Sequence, residues 1–405
     1  MSPSSIFPPE IYDKIIDEVA PSKDVLSACS LVQRSWVPRS RTHMFHNVDF
    51  KVHTSPELDK RSSTKYTAAF QQHVASNSTV ASYAHHLVLT LSNGENSASE
   101  IPQTSQLLNL RSLTLKCSHS IIYSVNDATL TRLLSFIRRN KKLQTISLQS
   151  VVIDPSAFDV FVACIAIRAP GLRSLHLHAI WAHDWVTDAW NRRRAVQGEF
   201  SYKSLSLERL CVSNCEEGVI PAFLRAYDLQ RLERLALMAL DWDSCVKMIA
   251  TTMNVESLTH ITLDLSSCKK FDNSLLHEEA LFCRLSTIPT LQLILKQAND
   301  SPTVLQKLYC SALHPQPLLG HLHLQFQRLP YSGDTMVDKA LWELCSLIPS
   351  LRVSVGFDQQ ESSQIARAST VCSRLKVSSL FPSMNRRGNF QLRPLDEWWS
   401  SNFAV

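Results

Sequence analysis

A chain of 405 residues has room for two or three average domains or for one elongated array. Its hydrophobic share of 44 % is ordinary for a folded protein, and only 8 glycines argue against a glycine-rich nucleotide site and against a turn-rich all-β fold. A formal charge of +5 is too weak at this length to mark a nucleic-acid-binding protein. The 11 cysteines are scattered, with no CxxC pair, which reads as reduced thiols in the cytosol or nucleus and not as a disulfide framework. The start of the chain has no basic region followed by an apolar stretch, so no signal peptide is expected. The longest apolar run, near Phe158–Ile167, falls far below the ~18 residues of a membrane span.

In chain order, three short helices are expected between Ile6 and Phe50. The first runs from about Pro9 to Val19, with proline where a missing N–H costs nothing. Ile11, Ile15, Ile16 and Val19 recur at helical spacing, and Asp13, Lys14, Asp17 and Glu18 fill the other face. Pro21 and Ser22 break the chain, and a second helix starts near Asp24. A third starts near Ser35, read as its N-cap, and runs to about Met44, with His43 and His46 as end-capping residues.

Forty-odd residues make a core too small to be comfortable alone, yet this stretch is rich in Ile, Leu, Val and Trp. It is either a helical cap on the rest of the chain or a docking module whose apolar side chains face a partner. Phe7-Pro8-Pro9-Glu10-Ile11, then Ile15, Val19, Asp24-Val25-Leu26, Leu31-Val32 and Trp36 resemble an F-box, of the kind abundant in mushroom-forming fungi. The run CSLVQRSWVPRSRTHMF is particularly similar. Phe7 stands where leucine is usual, and Gln33 where cysteine or a small residue is common. The resemblance implies docking on the Skp-type adaptor of an SCF-type cullin–RING ubiquitin ligase, through Pro8, Pro9, Ile11, Ile15, Leu26, Leu31, Val32 and Trp36.

Residues 51–85 read as a connecting helical segment, with a helix over Thr64–Ala75. Beyond it lies an internal repeat of the form Leu-x-x-Leu-x-Leu, with the alternation of a half-buried strand. Its copies begin at Leu110, Leu143, Leu172, Leu207, Leu232, Leu258, Ile288, Leu319 and Ile348, with an earlier one suggested at His86–Leu91. Successive starts are 25 (Leu207 to Leu232) to 35 (Leu172 to Leu207) positions apart, the upper range of leucine-rich repeats. Helices fit the gaps: Ala128–Arg139, Ser156–Arg168, Asp241–Met253, Ser274–Leu285, Pro302–Leu313 and Asp334–Leu347, several of them stopped by proline. This resembles the irregular leucine-rich arrays found behind many F-boxes. The expected fold is therefore α/β: a three-helix F-box over 1–50, then a leucine-rich-repeat-like solenoid over 86–405. Trp398, Trp399 and Phe403 are read as its terminal cap. An irregular Trp- and Arg-rich gap follows Leu177, with Trp181 and Trp185 read as helix neighbours.

In such an array the residues between the repeat leucines line the inner, concave face. The set is polar and mixed in sign, which suits recognition of a protein surface. Candidate target contacts are Lys116, Gln149, His176, His178, Arg209, Arg234, His260, Asp264, His321 and His323. His176/His178 and His321/His323 each share a strand face at a spacing that can bind Zn²⁺, but no nearby Cys, Asp or Glu completes the first set. No GxSxG, HExxH or paired-carboxylate arrangement stands out, so neither enzyme chemistry nor a cofactor or metal is expected. The chain is expected to be a non-catalytic substrate receptor of a ubiquitin ligase, with an unknown target protein, no nucleic acid and no membrane. The alternative is a stand-alone leucine-rich scaffold.

Overall fold

The computed structural model describes residues 8–52, 72, 81–91, 107, 109–117, 127–152, 165, 169, 171–181, 207–215, 229–240, 242–252, 256–266, 279–295, 301–313, 317–326, 335–357, 382–385 and 390–392. The chain divides into two compact units, Met1–Leu205 and Ser206–Val405.

Unit 1 opens with α1 (Pro9–Glu18), α2 (Lys23–Val32) and α3 (Val37–His46), as the sequence pattern predicts. Pro9 sits in the first turn of α1. Ser22 caps α2, its Oγ accepting from the Val25 N–H at 3.4 Å. Ser35 does not cap α3. It lies in a 3₁₀ turn, Arg34–Trp36, and Trp36 occupies the cap position without a side-chain bond. α3 packs against both other helices, and Ile16, Leu26 and Ser40 are sealed between them at 0 % exposure.

α3 runs straight into β1 (Asn47–Val52), so the expected boundary at residue 50 falls inside a strand. β1 was not anticipated, although Val48, Phe50 and Val52 alternate with Asn47, Asp49 and Lys51. It pairs in parallel with β2 (His86–Leu91), followed in order by β3 (Ser112–Cys117), β4 (Thr145–Val152) and β5 (Ser174–Trp181). α4 (Asp127–Arg139) fills the connection between β3 and β4. Its end carries Arg138 and Arg139, where cations favour the helix dipole. Trp181 is the last residue of β5 and is exposed; it is not helical. The predicted helices Thr64–Ala75 and Ser156–Arg168, Phe7, Trp185, and the cap residues Trp398, Trp399 and Phe403 lie outside the described residues, apart from Gln72 and Ile165.

Unit 2 repeats the same grammar. β6 (Arg209–Ser213) pairs with β7 (Arg234–Met238). Then come α5 (Trp242–Thr251), β8 (His260–Asp264), α6 (Glu279–Ser286), β9 (Thr290–Leu295), α7 (Ser301–Ala312), β10 (His321–Phe326), α8 (Thr335–Leu347), β11 (Arg352–Phe357), α9 (Pro382–Asn385) and β12 (Phe390–Leu392). All pairings from β6 to β12 are parallel between consecutive strands. α5 to α9 neighbour one another in the same order. Each helix offers one apolar stripe, such as Cys245, Met248 and Ile249 on α5 or Val304, Leu305 and Leu308 on α7, all at most 1 % exposed. Buried Asp338 of α8 accepts the Ser383 and Met384 N–H groups at 3.1 and 3.2 Å and so ties down the start of α9.

The repeat leucines form the core of both units. Leu110, Leu143, Leu172, Leu207, Leu232, Leu258, Ile288, Leu319 and Ile348 are each at most 5 % exposed, as are the two inward strand residues that follow each of them. One copy is out of register with its spacing. His321 pairs with Arg352 and Leu322 with Val353, so β11 begins two residues later than the spacing of the preceding copies predicts. The cause is local. The Ile348 N–H still bonds Leu344 O, at 2.9 Å, and the Leu351 N–H turns back to Ile348 O, at 3.0 Å. The helix end and Pro349 use up the difference.

Leu291 stands in mid-ladder, fully buried between Ile261 and Leu322 on the adjoining strands. Leu291→Ala is expected to lower unfolding free energy by about 3 kcal/mol, the transfer loss plus an unfilled cavity. Urea titration checks this, and a loss under about 1 kcal/mol excludes a tightly packed ladder at this position.

Candidate functional site

Two surfaces gather the residues singled out by sequence. The first lies on the helical module. Pro8 and Pro9 are exposed, as are Ile11 and Ile15, one turn apart on α1. On α2, Val25, Leu31 and Val32 are exposed, Leu31 to 85 % and Val32 to 67 %. Five of the ten large apolar side chains exposed among the described residues thus fall between Ile11 and Val32. Leaving Leu31 in water forgoes about 2 kcal/mol of burial. Leu26 is a correction: the expected contact faces the module's own core at 0 % exposure, because α3 packs across that side of α2. Trp36 is intermediate. Its ring lies 5.2 Å from Tyr12, and its buried Nε1 has no hydrogen-bond partner among the described residues.

Two polar clusters fasten this module. The Arg39 guanidinium grips Asp17 through Nε to Oδ1 at 2.7 Å and Nη2 to Oδ2 at 2.6 Å. His43 Nε2 lies 2.7 Å from the same Oδ1, so it reaches across to α1 and does not cap its own helix. Arg39 first, then His43, holds the Asp17 carboxyl down at about 2. Solvent reaches the pair, so it is worth about 1 kcal/mol or less. At the end of α3, the His46 ring stacks on His85 at 5.1 Å and meets His86 at 4.7 Å. The His85 N–H donates to His46 O at 3.1 Å, and His85 O accepts from the Arg111 and Ser112 N–H groups. This histidine knot joins the helices to the first strands. Sequence reading missed it because its members are 39 positions apart until β1 and β2 pair.

The second surface is the sheet face opposite the leucines. Register sorts its residues into rows. In unit 1, Lys116, Gln149 and His178 align as one row, with Gln149 and Lys116 half-buried and His178 exposed. His176 sits in the row beside them, its Nε2 2.8 Å from Ser174 Oγ. In unit 2, Arg209, Arg234, His260 and His321 align. His260 Nδ1 lies 2.7 Å from Thr259 Oγ1. Asp264 and His323 do not belong to an open surface. They are 7 % and 3 % exposed: His323 lies in the middle row, which its own side chains close, and Asp264 lies at the end of β8. Thr262 Oγ1 donates to Gln292 Oε1 at 3.1 Å, Gln292 Nε2 donates to Gln325 Oε1 at 3.2 Å, and His323 Nδ1 lies 2.6 Å from Ser354 Oγ. Asp264 Oδ1 accepts the Ser266 N–H at 2.9 Å and closes the strand end.

Burial pushes the Cys117 and Cys211 thiols up to about 12, which makes them core residues and not nucleophiles. Among the described residues no group of three or more His, Cys, Asp or Glu is placed to hold a metal ion. No helix among them is long and apolar enough to cross a membrane. No protein-family model matches the chain, and no curated protein matches it.

The histidine knot sets a pH dependence. Burial foremost, then the neighbouring imidazoles and Arg111, lowers the proton affinity of His46, His85 and His86. The unfolded chain therefore takes up protons first as pH falls, and the knot's contribution is full above about 6.5 and lost below it. The thermal midpoint is expected to drop between pH 7.5 and 5.5, and to drop less in His46→Gln. An equal drop in the variant excludes the knot as the cause.

Proposed function

We propose that the chain is the substrate-recognition subunit of an SCF-type cullin–RING ubiquitin ligase. The helical module docks on a Skp-type adaptor, and the repeats hold a target protein. The observation that carries this reading is the exposed apolar set Ile11, Ile15, Val25, Leu31 and Val32, in a module whose F-box-like sequence places adaptor contacts at four of those five positions. Such side chains stay in water only at a standing cost, and a partner surface removes it. The work of a receptor is positioning. It raises the effective concentration of target lysines near the ubiquitin-loaded enzyme, and its own residues form no covalent bond.

A second reading has an observation of its own. α3 continues without a linker into β1, and the histidine knot locks the two together. A module so attached serves as the end cap of a stand-alone protein-binding scaffold.

Co-expression with a Skp-type adaptor separates the two. The full chain is expected to co-purify with the adaptor, and a chain lacking Phe7–Phe50 is not. Because that deletion exposes β1, a point variant is the sharper probe. Leu31→Asp with Val32→Asp leaves the module's core untouched and is expected to weaken adaptor binding by a hundredfold or more, about 3 kcal/mol. Calorimetric titration reads it. Adaptor affinity unchanged by the double variant removes the receptor reading and leaves the scaffold.

A further inference from the structure

The parallel register of unit 2 assembles a row that the sequence disperses. Arg209 pairs with Arg234, Arg234 with His260, His260 with Thr290, Thr290 with His321, and His321 with Arg352. Five of these six side chains are basic. Arg209, His321 and Arg352 are exposed, and Arg234, His260 and Thr290 are half-buried. The fold does not require this chemistry. The same row in unit 1 reads Asn47, His86, Ser112, Thr145 and Ser174, with no Arg or Lys. Arg234 and His321 also engage neighbours within the chain. His260 holds its proton less firmly than an ordinary histidine, through burial first and then through Arg234 and His321, against the smaller opposing pull of Glu233.

We propose that this row is the target-binding groove of the chain, and that it takes an extended acidic segment of a protein, laid across the strands. Adjacent strands lie about 4.8 Å apart, so six positions span about 24 Å. An extended peptide covers that length in about seven residues. Arginine forks meet carboxylates through two parallel hydrogen bonds, which favours Asp- and Glu-rich chains. The row is one side chain wide. It is bordered by Cys211, Ala236, Thr262, Gln292, His323 and Ser354; none of these is Phe, Tyr or Trp, and the one imidazole, His323, is buried and so offers no face on which nucleic-acid bases stack. The row therefore fits an acidic peptide better than a single-stranded nucleic acid.

This deepens the receptor reading and rests on it only in taking the repeats as the target-holding part. The test accordingly uses the full chain without adaptor, so a failure of adaptor docking leaves its outcome unchanged. Fluorescence anisotropy follows a fluorescein-labelled peptide of about eight residues alternating Glu and Ser, a matched Lys–Ser peptide, and an oligothymidylate of similar length. The Glu–Ser peptide is expected to bind saturably and to weaken as salt rises from about 0.05 to 0.3 M. Arg209→Glu with Arg352→Glu, both at exposed positions, is expected to weaken it at least about tenfold. Circular dichroism confirms that the variant stays folded. No binding of the Glu–Ser peptide, equal binding of the Lys–Ser peptide, tighter binding of the oligothymidylate, or an affinity that the folded variant leaves unchanged would each overturn the proposal.

Discussion

The structure rests on one constraint: no repeat can bury its own leucines. Each strand from β3 to β11 carries two inward apolar residues and is preceded by a third, and a strand of five to eight residues has nothing of its own to cover them. Neighbouring strands and the helix layer do so, which is why the ladder from Leu110 to Val353 is almost wholly out of water. Parallel pairing between consecutive strands is the result, since every chain leaves its strand, crosses back and re-enters beside itself. The constraint also acts at the first strand. The helix that runs straight into β1 brings three short helices with Ile16 and Leu26 already sealed, and His46 at its end meets His85 and His86.

A ladder with one face committed to leucine frees the other face, but not uniformly. In unit 2 its middle row is largely buried, and its polar members bond one another: Thr262 with Gln292, His323 with Ser354. A buried polar row must satisfy itself, so it stiffens the sheet and offers little to a visitor. The first row of unit 2 stands at the strand starts, where Arg209, His321 and Arg352 are exposed. The same alternation therefore produces a structural row and a displayed row two residues apart. That distinction moves His323 into the scaffold and leaves Arg209 and His321 on view.

Much of this was legible in the sequence. The leucine spacing located nine strands, and proline and capping residues located α4, α5, α7 and α8 to within about two residues. Three things were not legible. A period of about 30 residues does not reveal a register slip, so Arg352 is aligned with His321 only once the pairing is seen. Helical periodicity identifies an apolar face but not which of two apolar faces turns inward, and Leu26 and Leu31 differ only in where α3 lies. Contacts between distant residues, such as His46 with His85 and His86 or Arg39 with Asp17, have no local signature at all.

That ambiguity on α2 also bears on function. A three-helix module of this size has few inward positions, and Ile16, Leu26 and Ser40 fill them. Apolar residues in excess of the seats must lie outside, so the exposed set is a property of composition as much as of any one helix's orientation. A module selected only to cap a sheet gains nothing from Leu31 and Val32 in water, and polar residues there would leave its core intact. Capping explains why the helices are joined to the strands; it does not explain why their outer side is oily. The two proposed surfaces also differ in kind. Charge screening does not weaken apolar contact, whereas it does weaken the arginine row. If the two proposals hold, screening by salt loosens the proposed target row and not the proposed adaptor surface, so the two attachments would separate on a salt titration.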